Sequence, residues 1–279
     1  WNDLFMNFNG TAGLWRKTAI TEGGGWEWET LTEDLDLSYR VQFAGWKTLY
    51  LPNVVVPAEL PEDINAFRGQ QFRWAKGSVQ TLIKLFPRLM ASKVSVFKKI
   101  QAIFHMGGYL VHPMMLTLVL LALPVLRAIP EYRSAGLLFG ILAIPLCFSV
   151  IAPSTLYLVS QRVAHDNWKR RSLMLPFLIV VGVGMALSNT RAIAEAIMRK
   201  DSAFIRTPKR GDRTVKSYAI RLPWVSIAEI GLGLYSCWTL VQYLQAGKLL
   251  ASPFLAIYAS GFLFIGLLTV CHSLTPVRE

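Results

Sequence analysis

The chain has 279 residues, 53% of them apolar and only 16% charged, against about 25% charged in an ordinary soluble domain. That excludes a disordered chain and a typical soluble enzyme, and the length allows one or two domains. The net charge of +12 sits late: residues 1–100 carry 12 basic and 10 acidic side chains and residues 101–279 carry 17 and 7, which suits loops lying on anionic lipid head groups rather than a nucleic-acid surface.

The opening WNDLFMNFNG reads like the middle of a domain, with no signal-peptide pattern; the expectation is a fragment lacking an N-terminal part. Residues 1–92 read as α/β material and residues 93–279 as an all-α transmembrane bundle. A first helix is expected from Leu31 to Ala44, with Thr30 and Glu33 as a capping box and Gly45 as its left-handed stop. Lys47–Leu51 and Val54–Val56, parted by Pro52-Asn53, have the composition of short strands. A second helix is expected from Pro61, with Glu62 and Asp63 in its first turn, to about Gly77. Lys93, Lys98 and Lys99 then interleave with Val94, Val96, Phe97 and Ile100, an amphipathic approach to a membrane surface.

Gln101–Leu126, Ser134–Gln161 and Leu249–Val277 contain no Asp, Glu, Lys or Arg, and Leu222–Gln245 contains only Glu229. Each exceeds the roughly 20 residues that cross the hydrocarbon, so spans are expected at about 102–126, 135–160, 223–245 and 250–274. Ser172–Thr190 is apolar but short, broken by Pro176, Gly182 and Gly184, and flanked on both sides by basic loops. The positive-inside rule puts both loops on one side, so 172–197 is expected to be a re-entrant or interfacial segment, with a simple fifth span as the alternative. Cys147, Cys237 and Cys271 lie in apolar runs without metal spacing, which indicates neither a disulfide framework nor a zinc site.

Four local patterns can carry chemistry. Thr32-Glu33-Asp34 opens a helix behind the loop Gly23-Gly24-Gly25-Trp26; a carboxylate there can take a proton from an attacking hydroxyl, or merely favour the helix N-terminus electrostatically. Gln70, Arg73 and Trp74 share one helical face. Together they can hydrogen-bond a sugar, grip a diphosphate and stack on a pyranose, or simply mark a helix at a membrane interface. Phe8-Asn9-Gly10-Thr11-Ala12-Gly13 is a small-residue loop that lets backbone approach a ligand, and Phe204–Gly211 is a basic loop able to grip phosphate.

These four patterns, in this order and followed by spans, resemble the C-terminal portion of processive, membrane-embedded family 2 glycosyltransferases: cellulose synthases, hyaluronan synthases and, most closely, bacterial relatives of the plant mannan synthases. The resemblance implies the C-terminal part of a cytoplasmic GT-A-type domain over residues 1–92. It implies an inverting enzyme of cell-wall-type polysaccharide biosynthesis, which adds sugars from GDP-mannose or UDP-glucose to a β-linked polysaccharide acceptor and moves the product across the bilayer. Asp34 is then the general base; Thr32, Glu33, Gln70, Arg73 and Trp74 bind substrate, and Phe8, Asn9, Gly10 and Thr11 lie against the acceptor. Residues 203–211 resemble the family's gating loop, with Phe204, Thr207 and Lys209 at matching positions and Arg206 where valine is usual.

The family places its nucleotide-binding strands and its ligands for Mg²⁺ or Mn²⁺ upstream of these motifs, so no metal ligand is expected here and the 279-residue chain alone is expected to be inactive. A bacterial inner membrane is the expected location, with the catalytic part cytoplasmic and no nucleic-acid partner. A glycosyltransferase acting on a lipid acceptor, such as a polyprenyl phosphate or a ceramide-like lipid, is the alternative. A transporter would carry ionisable groups deep in several spans, where this chain offers only Glu229, His105, His112 and His272.

Overall fold

The computed structural model describes residues 3–61, 63–128, 153–202 and 224–274. It divides into two compact units, one of Trp1–Met114, Ala186–Leu222 and Cys271–Glu279, the other of Met115–Met185 and Pro223–Val270. Among the described residues the regular elements are all helical, so the expected α/β character is not met. The expected strands Lys47–Leu51 and Val54–Val56 are irregular chain that turns at Pro52-Asn53, where Val54 N–H donates to the Leu51 carbonyl at 3.1 Å. A strand exists by pairing, and these residues meet no partner strand among the described residues: Leu49, Tyr50, Val54, Val55 and Val56 are all more than half exposed.

The first unit is built on α1 (Lys17–Glu22), α2 (Glu33–Phe43), α3 (Ile64–Ala91), α4 (Val96–Met106), the start of α5 (Val111–Ala128) and, later in the chain, α8 (Ala186–Ile197). Seven consecutive α2 residues, Leu35–Val41, are buried, so this helix is packed on all sides. Leu35 and Tyr39 join Phe5, Leu85, Leu89, Ala102 and Met106 on one side, while Leu37 and Val41 pack on Ala19 on the other. The Tyr39 hydroxyl lies 2.7 Å from His105 Nδ1; burial holds the His105 pKa below its ordinary value and raises that of Tyr39, which favours a neutral imidazole beside a protonated phenol.

Both helix ends expected near Thr30 and Gly77 are displaced. Thr32, not Thr30, is the N-cap of α2 and makes no side-chain cap bond; its hydroxyl lies 3.3 Å from that of Thr81 on α3 instead. At the other end of α2, Gly45 has φ +94°, the left-handed conformation that ends helices. The α3 helix is capped by the Asp63 carboxylate, which accepts from Asn65 and Ala66 N–H at 2.8 and 2.9 Å. It then runs through Gly77 for 28 residues.

Three described helices are long and apolar enough to cross a membrane, Gly108–Ala128, Trp224–Gln245 and Ser252–Ser273. They include all of α5, the later helix α9 (Trp224–Gln245) and nearly all of α10 (Ser252–Leu274). The charge-free stretch beginning at Gln101 is divided, because α4 ends at Met106 and a 3-10 turn over Gly108–Leu110 precedes α5. Most of the expected span 135–160 lies outside the described residues. Between the basic loops run α6 (Trp168–Ser172) and α7 (Leu175–Gly184), and the helical run breaks at Met185 before α8. Counted as one span, this broken run would be a fourth. In the second unit α7 crosses α10 at glycine, since a Cβ on Gly184 would lie 2.4 Å from the Gly261 carbonyl. Small residues allow this approach where apolar burial gives no drive between helices. Tyr235 and Tyr243 on α9 donate to the Leu120 and Ala122 carbonyls of α5 at 2.8 and 2.9 Å.

Candidate active site

The site begins with one stripe along α3. Gln70, Arg73, Trp74, Gly77, Gln80, Thr81 and Lys84 recur at three- and four-residue steps, so their side chains lie on one face. The distal half of that stripe holds the start of α2. Gln80 Oε1 accepts from Leu31 N–H at 3.0 Å, and Thr81 meets Thr32. Lys84 pairs with Asp36 at 3.3 Å and with Glu29 at 2.9 Å.

Gly77 is the point of closest approach. A Cβ there would lie 2.6 Å from Thr32 Cγ2 and 2.7 Å from both Thr32 N and Oγ1. No side chain fits between the two, which is why glycine stands in mid-helix despite its conformational cost. The proximal half of the stripe, Gln70, Arg73 and Trp74, lies on the same face of α3 one to two turns nearer its N-terminus. Glu33 acts electrostatically on Arg73, opposing the larger effect of burial, which lowers the Arg73 pKa from its ordinary value. Trp74 is 43% exposed.

The small-residue loop closes on the other side of the carboxylate. Gly10, at φ +73°, passes so near that a Cβ on it would lie 2.9 Å from Asp34 Oδ2. Phe8 N–H donates to Ser38 Oγ at 3.0 Å, and that hydroxyl donates to the Asp34 carbonyl at 2.6 Å. Gln42 grips the preceding backbone at both ends, accepting from Met6 N–H at 3.0 Å and donating to the Met6 carbonyl at 2.8 Å. Asn9 Oδ1 accepts from Asn7 Nδ2 at 2.8 Å, and Thr11 is exposed. Asp34 is half-buried; desolvation raises its pKa, the neighbouring charge of Glu33 adds to this, and the Leu35 N–H bond to Oδ1 at 2.8 Å opposes it. A raised carboxylate pKa makes a stronger base. The structure thus brings together Gly10, Asp34, Thr32, Glu33 and Arg73, with Gln70 and Trp74 on the same helical face. Phe204, Thr207 and Lys209 lie outside the described residues.

Comparison with known proteins decides the affiliation. Residues 6–160 match the family model described as glycosyl transferase family group 2. The chain is 30% identical over 244 residues to rice glucomannan 4-beta-mannosyltransferase 1, covering 84% of this chain and 46% of the relative. It is 31% identical over 246 residues to glucomannan 4-beta-mannosyltransferase 9 of Arabidopsis thaliana, covering 83% and 44%. The chain belongs to glycosyl transferase family group 2. It spans about half the length of the curated relatives it matches. No solved structure matches it.

In this family 2 chain, several supports of the site escape a reading of the three motifs alone. Ser38 and Gln42 follow Asp34 at four and eight residues, and Gly77, Gln80 and Thr81 continue the spacing of Gln70, Arg73 and Trp74; helical periodicity is the signal that points to them. Arg40 is a further support. It pairs with buried Asp36 at 2.8 Å and donates to the carbonyls of Gly23 and Gly25, the latter at 2.8 Å. The glycine loop in front of the site is therefore tied to α2. A cavity of about 520 Å³ lined by Phe5, Met6, Asn7, Gln101, Phe104 and His105 lies beside the loop and includes none of the candidate site residues.

Proposed function

We propose that this chain forms the acceptor side of an inverting polysaccharide synthase that transfers a hexose, mannose being favoured by the relatives' names, from a nucleotide sugar to a growing β-linked glycan. The observation that carries the reading is the alignment of Asp34, between Gly10 and the α2 terminus, with the α3 face bearing Gln70, Arg73 and Trp74. The terminal hydroxyl of the acceptor attacks the anomeric carbon while Asp34 takes its proton. The bond from that carbon to the diphosphate oxygen breaks, and the nucleoside diphosphate leaves from the opposite face. Arg73 offsets negative charge on the leaving group, Trp74 stacks beneath the acceptor ring, and Thr207 and Lys209 contribute phosphate contacts.

The helices long enough to cross a membrane support a protein embedded in the bilayer, with the globular part on the cytoplasmic side and the glycan passing outward. The two relatives named above are from plants and lend no support to the bacterial origin expected from the motifs. For a divalent cation the described residues offer no cluster of three or more His, Cys, Asp or Glu side chains. They do not fit that group by themselves, and no step of the transfer is routed through it.

The decisive assay uses the protein expressed from its complete reading frame in membrane vesicles. Labelled nucleotide sugar should enter a polymer that β-glycan hydrolases degrade; a product of one sugar on a lipid would favour the lipid-acceptor alternative. A pH profile tests the base. Asp34 works only when ionised, and its pKa lies above the ordinary 3.8, so kcat/KM should fall with acid along a limb whose midpoint lies above that value. A profile that stays flat to about pH 4 would remove Asp34 from the mechanism.

A further inference from the structure

The face of α3 turned away from the candidate site carries Phe72, Lys76 and Val79, spaced like one side of a helix. It packs against α8: Val79 joins Ile193 and Ala196 in one apolar cluster, and the Arg191 guanidinium lies 5.7 Å from the centre of the Phe72 ring. Between these sits Lys76, with no exposed surface. Its ammonium meets Glu195 Oε2 at 3.2 Å, the Lys200 carbonyl at 2.6 Å and Ser202 Oγ at 2.5 Å. An ammonium has three protons, and here each has its own acceptor.

The chain leaving α8 ends the helix in a Schellman-type turn, with Arg199 N–H donating to the Ala196 carbonyl at 3.1 Å. Lys200 N–H donates to the Glu195 carbonyl at 2.9 Å, and Arg199 between them is left-handed, at φ +53°. That conformation is costly for a residue with a side chain and persists where surrounding contacts enforce it. Burying a lysine is also costly unless it is paired, so the arrangement calls for a reason.

We infer that Lys76 is a positioning residue, a rotational stop that sets the angle of α3 about its own axis and so aims Gln70, Arg73 and Trp74 at the Thr32–Asp34 terminus. The inference rests on the proposed glycosyl-transfer function. On the site side Gln80, Thr81 and Lys84 tie α3 to the start of α2 beyond Gly77, and on the opposite face the contact of Val79 is apolar and non-directional. Lys76, next to Gly77 in the chain, adds three directional hydrogen bonds on that opposite face. A rotation of a few degrees displaces side-chain tips enough to spoil reacting geometry.

The test uses the protein from its complete reading frame, with Lys76→Met and Ser202→Ala compared with Asp34→Asn. Lys76→Met should lower kcat/KM per folded enzyme by about tenfold or more, through both a lower kcat and a higher acceptor KM. Ser202→Ala removes one of three acceptors and should give a smaller fall of about threefold. Wild-type kinetic constants in folded Lys76→Met protein would overturn the inference, as would a loss of folded protein with kcat/KM per folded enzyme unchanged. If Lys76→Met does not fold, Ser202→Ala decides: a fall supports the stop, unchanged kinetics refutes it. Activity surviving in Asp34→Asn would instead sink the proposed base and leave the Lys76 comparison readable.

Discussion

Asp34→Asn is expected to lower glycosyl transfer by about 10²–10⁴-fold, the usual worth of a positioned general base, with nucleotide binding retained. The substitution is nearly isosteric, so the Gly10 contact at Oδ2 and the Leu35 N–H bond at Oδ1 both keep an occupant of the right size. What disappears is proton affinity, which burial and Glu33 raise in the native carboxylate. The measurement is initial-rate transfer in vesicles alongside binding of the nucleoside diphosphate. Activity within a few-fold of wild type would show that the acceptor loses its proton elsewhere. Loss of transfer together with loss of nucleotide binding would point to a collapsed site instead of a missing base.

The second large effect is expected from Gly77→Ala, where two ordinary effects have opposite signs. Helix propensity favours alanine over glycine by about 1 kcal/mol in a helix interior. Overpacking costs about 1–3 kcal/mol, and one of the atoms a Cβ would meet is the backbone nitrogen of Thr32 at 2.7 Å. A side chain can rotate away from such a contact, but backbone cannot, so the steric cost wins and the two elements are pushed apart. Ångström-scale displacement of reacting groups costs on the order of 10²-fold in rate. The control is Gly69→Ala on the same helix, exposed and with nothing within 4 Å of the added carbon; propensity alone should make it more stable by about 1 kcal/mol. Thermal unfolding and transfer rates of the two variants decide the matter, and like behaviour of both would refute the close-approach role of Gly77.

The contrast at Gly77 also explains where reading the sequence succeeds and where it stops. Glycine marks helix ends and close approaches with the same letter. At Gly45 it is a stop; at Gly77 the helix continues and the missing side chain serves Thr32. Only tertiary contact distinguishes them. Thr30 and Thr32 present a similar ambiguity, since either can cap a helix and the pull of Thr81 is invisible in one dimension. The α3 stripe was legible as far as Trp74 because spacing alone puts Gln70, Arg73 and Trp74 on one face.

Long charge-free runs announced membrane-crossing helices, because twenty apolar residues in succession leave few alternatives. The β-branched residues of 47–56 suggested strands, yet a ladder depends on partners that local composition does not reveal. Lys76 gave no sign at all: a lysine on a helix reads as solvated, and three acceptors separated from it by more than a hundred residues are what bury it.

The stripe from Gln70 to Lys84 has a consequence for how such a chain can vary. Every residue added to a helix advances it by 1.5 Å and turns the remainder of the helix by about 100°. An insertion or deletion between Trp74 and Gly77 would throw the aromatic and guanidinium groups out of phase with the contacts at Gly77, Gln80 and Thr81, and one between Gly77 and Gln80 would put Gly77 out of phase with the other two. Substitutions between those positions leave the phase intact. Length within this stretch of α3 is therefore under tighter constraint than spelling, whereas the irregular chain from Trp46 to Leu60 keeps no such count.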